Sequence, residues 1–407
     1  MKVITGGVTA AKGFEAAGVE ANIKYTNRKD MAMVYSKVPC KVAGTFTSNV
    51  VKAAPVQWDK KIVEESEYVQ AVIINSGIAN ACTGKQGMEC CEKTAQAAAS
   101  VLSIPKEAVL VASTGVIGRQ IPVDKIAAGI ELLAKEKNDT LENGTLAAEA
   151  IMTTDTVSKQ VAVEFQIGDQ TVKMGGMCKG SGMIHPNMCT MLGFVTSDVN
   201  ISKELLTKAV KESVNDTFNM VSVDGDTSTN DTLLVLCNGE AKNAEIVAEG
   251  KDFDAFCEAL NYINTELAKK MAGDGEGATA LFETKVVGAD TKKNAKILAK
   301  SVICSSLTKA AIYGHDANWG RILCALGYSG VNFDPEKIEL YFESASGKIQ
   351  IFKDGVETGY DEEEASKILS DKHVTVLVDM KMGDATATAW GCDLTYDYVK
   401  INADYRS

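Results

Sequence analysis

Three short runs constrain this chain before anything else does. V-Q-A-V-I-I-N at Val69–Asn75, A-V-L-V-A at Ala108–Ala112 and T-L-L-V-L-C at Thr232–Cys237 are almost free of polar side chains. Runs of this length and composition read as buried strands, and buried strands need further layers to cover them. Between the first two runs, Gln86–Leu102 is alanine-rich at helical spacing. Pro122–Lys137 reads as a helix with proline in its first turn, and Gly144–Met152 reads as another. Gln160–Val172 reads as a strand pair turning at Gly168–Asp169. Ser202–Thr217 and Phe253–Met271 continue with helical periodicity. Toward the C-terminus, strands at Phe282–Val287, Ile338–Phe342, Val374–Asp379 and Ala385–Trp390 alternate with helices around Lys292–Ser301 and Glu363–Leu369. Grouped helices and strands with hairpin signals favour α+β layers over a strictly alternating parallel sheet.

With 407 residues, the chain suits two domains or one large layered domain. Its net charge of -12 argues against nucleic acid or an anionic membrane surface as the main partner. No window approaches the roughly 20 apolar residues of a membrane span. The N-terminus lacks a basic region followed by an apolar core, so a cytoplasmic location is expected. The 11 cysteines include no C-x-x-C pair and the chain has 3 histidines, which points to reduced thiols and to no metal site.

Candidate chemistry narrows quickly. No G-x-S-x-G elbow supports a serine hydrolase. G-D-G-E-G at Gly273–Gly277 lacks the G-K-[ST] ending of a phosphate loop and reads as a helix-terminating turn that holds Glu276. S-T-G-V-I-G at Ser113–Gly118 leaves a buried strand through Thr114 and Gly115. A hydroxyl and an unhindered N–H at such a point suit an oxyanion, although a plain strand-to-helix turn also fits. M-T-T-D-T at Met152–Thr156 gathers hydroxyls at a helix end. Finally, K-G-S-G-M-I-H-P-N-M-C-T-M-L-G-F at Lys179–Phe194 places breakers at Gly180, Gly182 and Pro186 before Thr190, where a buried strand begins. A threonine hydroxyl becomes a nucleophile when its own freed α-amine, with a pKa near ~7.7–8.0, serves as the base. That route requires the Cys189–Thr190 bond to be cut, and the bent backbone permits an N→O acyl shift there.

These motifs together, with G-G-V-T-A-A-K-G-F at Gly6–Phe14, I-N-S-G-I-A-N-A-C-T-G at Ile74–Gly84, D-G-D-T-S-T-N-D-T at Asp224–Thr232, G-H-D-A-N-W-G-R at Gly314–Arg321 and the ending Y-V-K-I-N-A-D-Y-R-S, resemble the ornithine acetyltransferase family over essentially the whole chain. The resemblance implies a layered α/β/β/α-type sandwich with a smaller C-terminal α+β domain, here roughly residues 280–390. It implies self-cleavage at Cys189–Thr190 into an α chain 1–189 and a β chain 190–407, assembled as α2β2 or larger. It puts the nucleophile on Thr190 and the oxyanion pair on Thr114 and Gly115. Substrate contacts fall on Thr153 or Thr154, Lys179, Thr190, Glu276, Asn402 and Ser407. The sequence departs from the family at Cys189, His185, Ile78 and Ser407, and none of these removes a catalytic function.

The implied reaction moves an acetyl group from N-acetylornithine to glutamate through an acetyl-threonine ester. No cofactor is needed, and acetyl-CoA as an additional donor is left open. Two alternatives remain at this stage: an N-terminal-threonine aminopeptidase or amidohydrolase, and a non-enzymatic amino-acid-binding protein with an intact chain.

Overall fold

The apolar runs are strands, and their two faces are buried in different places. Along Val69–Asn75, Ala71 and Ile73 join one hydrophobic cluster while Val72 and Ile74 join another. Val109–Ser113 divides the same way, with Val109 and Val111 on one side and Leu110 and Ala112 on the other. The period-2 geometry of a strand makes this division unavoidable once both faces are apolar. A layer must therefore lie on each side.

The computed structural model describes residues 1–185 and 191–403, which form two compact units. The first holds Met1–Gly180, 191–219 and Thr227–Leu267; the second holds Ser181–His185, Met220–Asp226 and 268–403. The proposed cut between Cys189 and Thr190, and Ser407, lie outside the described residues.

In the first unit, strand Met31–Phe46 links two sheets. Its first half pairs with Phe14–Val19 and Val69–Asn75, and Val109–Ser113 continues that sheet in parallel. From Lys41 onward it pairs with Thr232–Cys237. The register breaks between Tyr35 and Cys40, a stretch that contains Pro39. Proline has no N–H to give a ladder, so a strand tolerates it best where pairing changes. Beyond Thr232–Cys237 follow Leu192–Ser197, Gln170–Lys179, Lys159–Ile167 and Lys2–Ile4. Phe194, Leu192, Leu234 and Leu236 of this sheet share a cluster with Val34, Val72, Ile74 and Leu110 of the other, so the sheets face each other.

Helices close both outer faces. Gly84–Leu102 and Val123–Glu136 bury Cys91, Ala95, Ala98, Ile126 and Ile130 against one sheet. Over the other, Ile263 and Leu267 of helix Lys251–Gly273 lie against Gly176, where a side chain larger than hydrogen would crowd them. Asn264 of that helix donates to Ser213 of helix Lys203–Asp216 at 2.9 Å. The order is helix, sheet, sheet, helix, which is the expected α+β sandwich.

The second unit is a seven-stranded mixed sheet built around Leu281–Ala289, His373–Asp379 and Ala385–Cys392. Val221–Ser222 adds an edge strand parallel to Ala385–Cys392. Helix Lys292–Cys304 buries Leu298, Ala299, Val302 and Ile303.

Some local expectations shift. Pro122 is the N-cap of helix Val123–Glu136 and not in its first turn. The helix expected at Gly144–Met152 starts earlier, at Leu141, because Thr140 caps it through the Asn143 N–H. The quoted motif Gly314–Arg321 divides at Asn318, whose side chain caps helix Trp319–Gly327.

Candidate active site

The oxyanion candidate grows directly out of the parallel strand pair. Asn75 and Ser113 are register partners at the strand ends, and Ser113 Oγ donates to Asn75 Oδ1 at 2.7 Å. Past them the two chains stay together: Thr114 N–H donates to Asn75 O, Val116 N–H to Gly77 O, and Ala79 N–H to Val116 O. Asn230 spans the pair with one amide nitrogen, donating to Ala79 O at 2.6 Å and Ser113 O at 2.7 Å.

Gly115 sits between two N–H groups already used in this ladder. Its own N–H donates to no described residue. Its φ of +129° is closed to ordinary side chains, and a Cβ there would lie 2.3 Å from Gly77 C. Glycine is required here on both counts. Beside it, the Thr114 hydroxyl accepts from Lys179 Nζ at 3.4 Å, which leaves its proton for another acceptor. A free N–H and a free hydroxyl proton on adjacent residues form the donor pair that a tetrahedral oxyanion needs.

Lys179 ends strand Gln170–Lys179, opposite Leu192. It belongs to a buried charge cluster that sequence reasoning did not find. Asp155, with no side-chain exposure, lies 2.7 Å from Lys159 Nζ and 4.0 Å from Lys179 Nζ. Its oxygens also accept from Thr153 N–H at 3.0 Å and Gly180 N–H at 2.7 Å. Burial alone would raise the Asp155 pKa, but the two ammoniums and these hydrogen bonds hold the carboxyl well below its ordinary value. One carboxylate thus fixes both the M-T-T-D-T backbone and the start of the K-G-S-G segment. Arg28 adds a second clamp, donating to Met152 O at 2.6 Å and Thr153 O at 2.9 Å. Thr153 and Thr154 are both half-buried, and the geometry favours neither as a substrate contact.

The second unit gathers its own set. Ser181 O accepts the Glu276 N–H, and Ser181 Oγ donates to Asp274 O at 2.7 Å. A Cβ on Gly182 would lie 2.3 Å from the Glu276 carboxylate, so the second glycine of K-G-S-G permits that approach. Asn402, on helix Tyr396–Ala403, donates to Glu276 Oε2 at 2.7 Å. His185 Nδ1 lies 3.0 Å from Ser222 Oγ and 3.7 Å from Cys304 Sγ. Burial pushes the His185 pKa down to about 4, so its ring is neutral at physiological pH.

Comparison with known proteins adds a decisive observation. A profile described as "ArgJ family" matches residues 15–407. The chain belongs to the ArgJ family. The arginine biosynthesis bifunctional protein ArgJ 1 of Clostridium acetobutylicum is 51% identical over 404 residues, covering 98% of this chain and 97% of the relative. The ArgJ of Caldanaerobacter subterraneus subsp. tengcongensis is 48% identical over the full length of both. A crystal structure of the arginine biosynthesis bifunctional protein ArgJ from Bacillus halodurans matches at 46% identity with a TM-score of 0.50, covering 52% of this chain and 97% of that one. As an ArgJ family member the chain is an enzyme, an acyltransferase of arginine biosynthesis.

Of the expected ArgJ site residues, the structure brings Thr114, Gly115, Lys179 and the Thr153–Thr154 backbone together in one unit. It pairs Glu276 with Asn402 in the other. Thr190 and Ser407 are outside the described residues. Sequence reasoning missed Asp155, Arg28 and Asn230. Asp155 and Asn230 stood inside quoted motifs, but nothing in one dimension reveals that an aspartate will meet two lysines, or that an amide will bridge two strand ends.

Proposed function

We propose that this enzyme transfers the acetyl group of N-acetylornithine to glutamate through an acetyl ester on Thr190, releasing ornithine and N-acetylglutamate. Before it can do so, the chain cuts itself between Cys189 and Thr190. The observation that carries this reading is the Thr114–Gly115 pair, with an unspent N–H and an unspent hydroxyl proton beside Lys179.

The new Thr190 α-amine takes the hydroxyl proton, and Oγ attacks the acetyl carbonyl. Negative charge then develops on the carbonyl oxygen, where Thr114 Oγ–H and Gly115 N–H donate to it; one such donor contributes roughly 2.7–4 kcal/mol in other acyl transfers. The C–N bond breaks and ornithine leaves with the proton. Glutamate enters, its amine attacks the ester and passes a proton to the Thr190 α-amine, which hands that proton to Thr190 Oγ as the ester C–O bond breaks. Lys179, whose ammonium lies 3.4 Å from the Thr114 hydroxyl, suits a carboxylate of either substrate. Thr153 or Thr154, Glu276, Asn402 and Ser407 complete the proposed substrate contacts.

Two features support the cut. The solved Bacillus halodurans chain is about half as long as this one. Leu192, two residues past Thr190, is the ladder partner of Lys179. The relatives are named bifunctional, and acetylation of glutamate from acetyl-CoA is the second activity we assign. No bound cofactor enters the scheme. A cytoplasmic α2β2 assembly completes the proposal; no helix among the described residues is long and apolar enough to cross a membrane.

Intact mass spectrometry and product analysis test the scheme together. Wild-type protein should appear as chains 1–189 and 190–407, and Thr190→Ala as a single chain. Incubation with N-acetylornithine alone should add one acetyl group to the 190–407 chain, and initial rates with both substrates should be ping-pong. A wild-type chain that stays whole, or free acetate as the main product in the presence of glutamate, would overturn it.

A further inference from the structure

Asp224 belongs to the quoted D-G-D-T motif and has no part in the scheme above, yet it holds a loop that leads to the proposed cut. Its two carboxylate oxygens accept from consecutive N–H groups, Met183 at 2.7 Å and Ile184 at 2.9 Å. Ile184 O in turn accepts from Val223 N–H at 2.7 Å, so the loop and the Val223–Asp224 segment are stitched in both directions. The grip is needed because Met183 has φ +56°, a left-handed conformation that costs a non-glycine residue roughly tenfold in population. Left to itself, Met183 would relax out of this conformation and take its neighbours with it.

The preceding residue shows why the conformation matters. At Gly182, next to Met183, the Glu276 carboxylate lies where a side chain would begin, so the backbone at this point approaches Glu276 closely. Asp224 also receives the Tyr398 hydroxyl at 3.3 Å. Burial and the nearby Asp224 charge raise the Tyr398 pKa, which keeps the phenol protonated as a donor. Tyr398 lies on helix Tyr396–Ala403, which contains no buried residue and carries Asn402 to Glu276. The start of this helix packs on Gly277, whose φ of +70° and lack of Cβ leave space for the Asp397–Tyr398 backbone. A single carboxylate therefore ties the loop before residue 186 to the helix that supplies Asn402.

We propose that Asp224 is a positioning residue: by fixing Met183 in the left-handed state it presents the chain for self-cleavage, and through Tyr398 it holds Asn402 at Glu276. This rests on the self-cleaving reading given above. Asp224→Asn keeps the shape but turns one acceptor into an NH2 group facing an N–H.

The test measures the half-time of precursor processing and the KM for N-acetylornithine in four proteins: wild type, Asp224→Asn, Tyr398→Phe, and the double variant Asp224→Asn with Met183→Gly. Asp224→Asn should slow processing about tenfold or more. Met183 is 43% exposed, so glycine there loses little packing. Because glycine adopts the left-handed state freely, the double variant should recover most of that loss. Rescue by a glycine that restores no hydrogen bond is a result that general destabilisation does not produce. Tyr398→Phe should raise KM roughly threefold to tenfold and slow processing less than Asp224→Asn does. A folded Asp224→Asn chain that is cut at the wild-type rate overturns the proposal, as does a double variant no faster than the single one. If the wild-type chain is never cut, the self-cleaving reading itself fails first and this inference falls with it.

Discussion

Replacing Asp155 by asparagine isolates the charge at the centre of the first unit's site. The exchange preserves shape and removes the carboxylate that lies 2.7 Å from Lys159 and 4.0 Å from Lys179. Lys159 has 1% side-chain exposure and Asp155 none, so water compensates little of the loss. Removing one partner of such a buried pair costs roughly 3–5 kcal/mol. At roughly 2–4 °C per kcal/mol for a unit of this size, melting should fall by about 6–20 °C at pH 7. The sign of the pH dependence follows from the direction of the Asp155 shift. A carboxyl held below its ordinary value stabilises the fold above the unfolded pKa of ~3.9 and loses that contribution as pH drops through the lower folded value. Wild type should therefore show an acid limb that the variant lacks. Adding Lys159→Met should restore part of the lost stability at pH 7. Urea unfolding at pH 5, 7 and 9.5 reads all of this. An Asp155→Asn protein within about 0.5 kcal/mol of wild type at pH 7, the range of an ordinary surface change, would refute the reasoning.

Two further outcomes are expected. Gly115→Ala places a methyl 2.3 Å from Gly77 C at a φ of +129°; kcat should fall roughly 10²–10³-fold, and retention of wild-type kcat by the pure variant would remove Gly115 from the oxyanion site. His185→Ala should flatten stability between pH 6.5 and 4, because burial lowers the histidine pKa to about 4 and wild type loses stability as acid protonates it in the unfolded chain; the difference should be about 1–2 kcal/mol after allowing for solvent screening, and parallel melting curves across that range would contradict it.

The legible part of the fold was the part governed by local rules. Thr232–Cys237 is a strand over the range its composition indicates, and Val69–Asn75 likewise. Ser202–Thr217 became helix Lys203–Asp216 with Ser202 as its cap. Strand Met31–Phe46 was not legible, because it mixes polar and apolar residues and its role depends on partners as distant as Thr232–Cys237. The site divides in the same way. Thr114 and Gly115 could be named as candidates because a strand end followed by threonine and glycine is a local pattern, and the family motifs supplied the remaining candidates.

By itself, then, the sequence determined the buried strands, the helices with strong caps, the family and the identity of the nucleophile candidate. Only tertiary structure decided that Asp155 would stand between Lys159 and Lys179, that Asn230 would bridge Ala79 and Ser113, and that Gly182 was needed to make room for Glu276. The physical reason is range: backbone preference and hydrophobic period act over a few residues, whereas buried charge and close backbone approach depend on residues brought together from far apart in the chain.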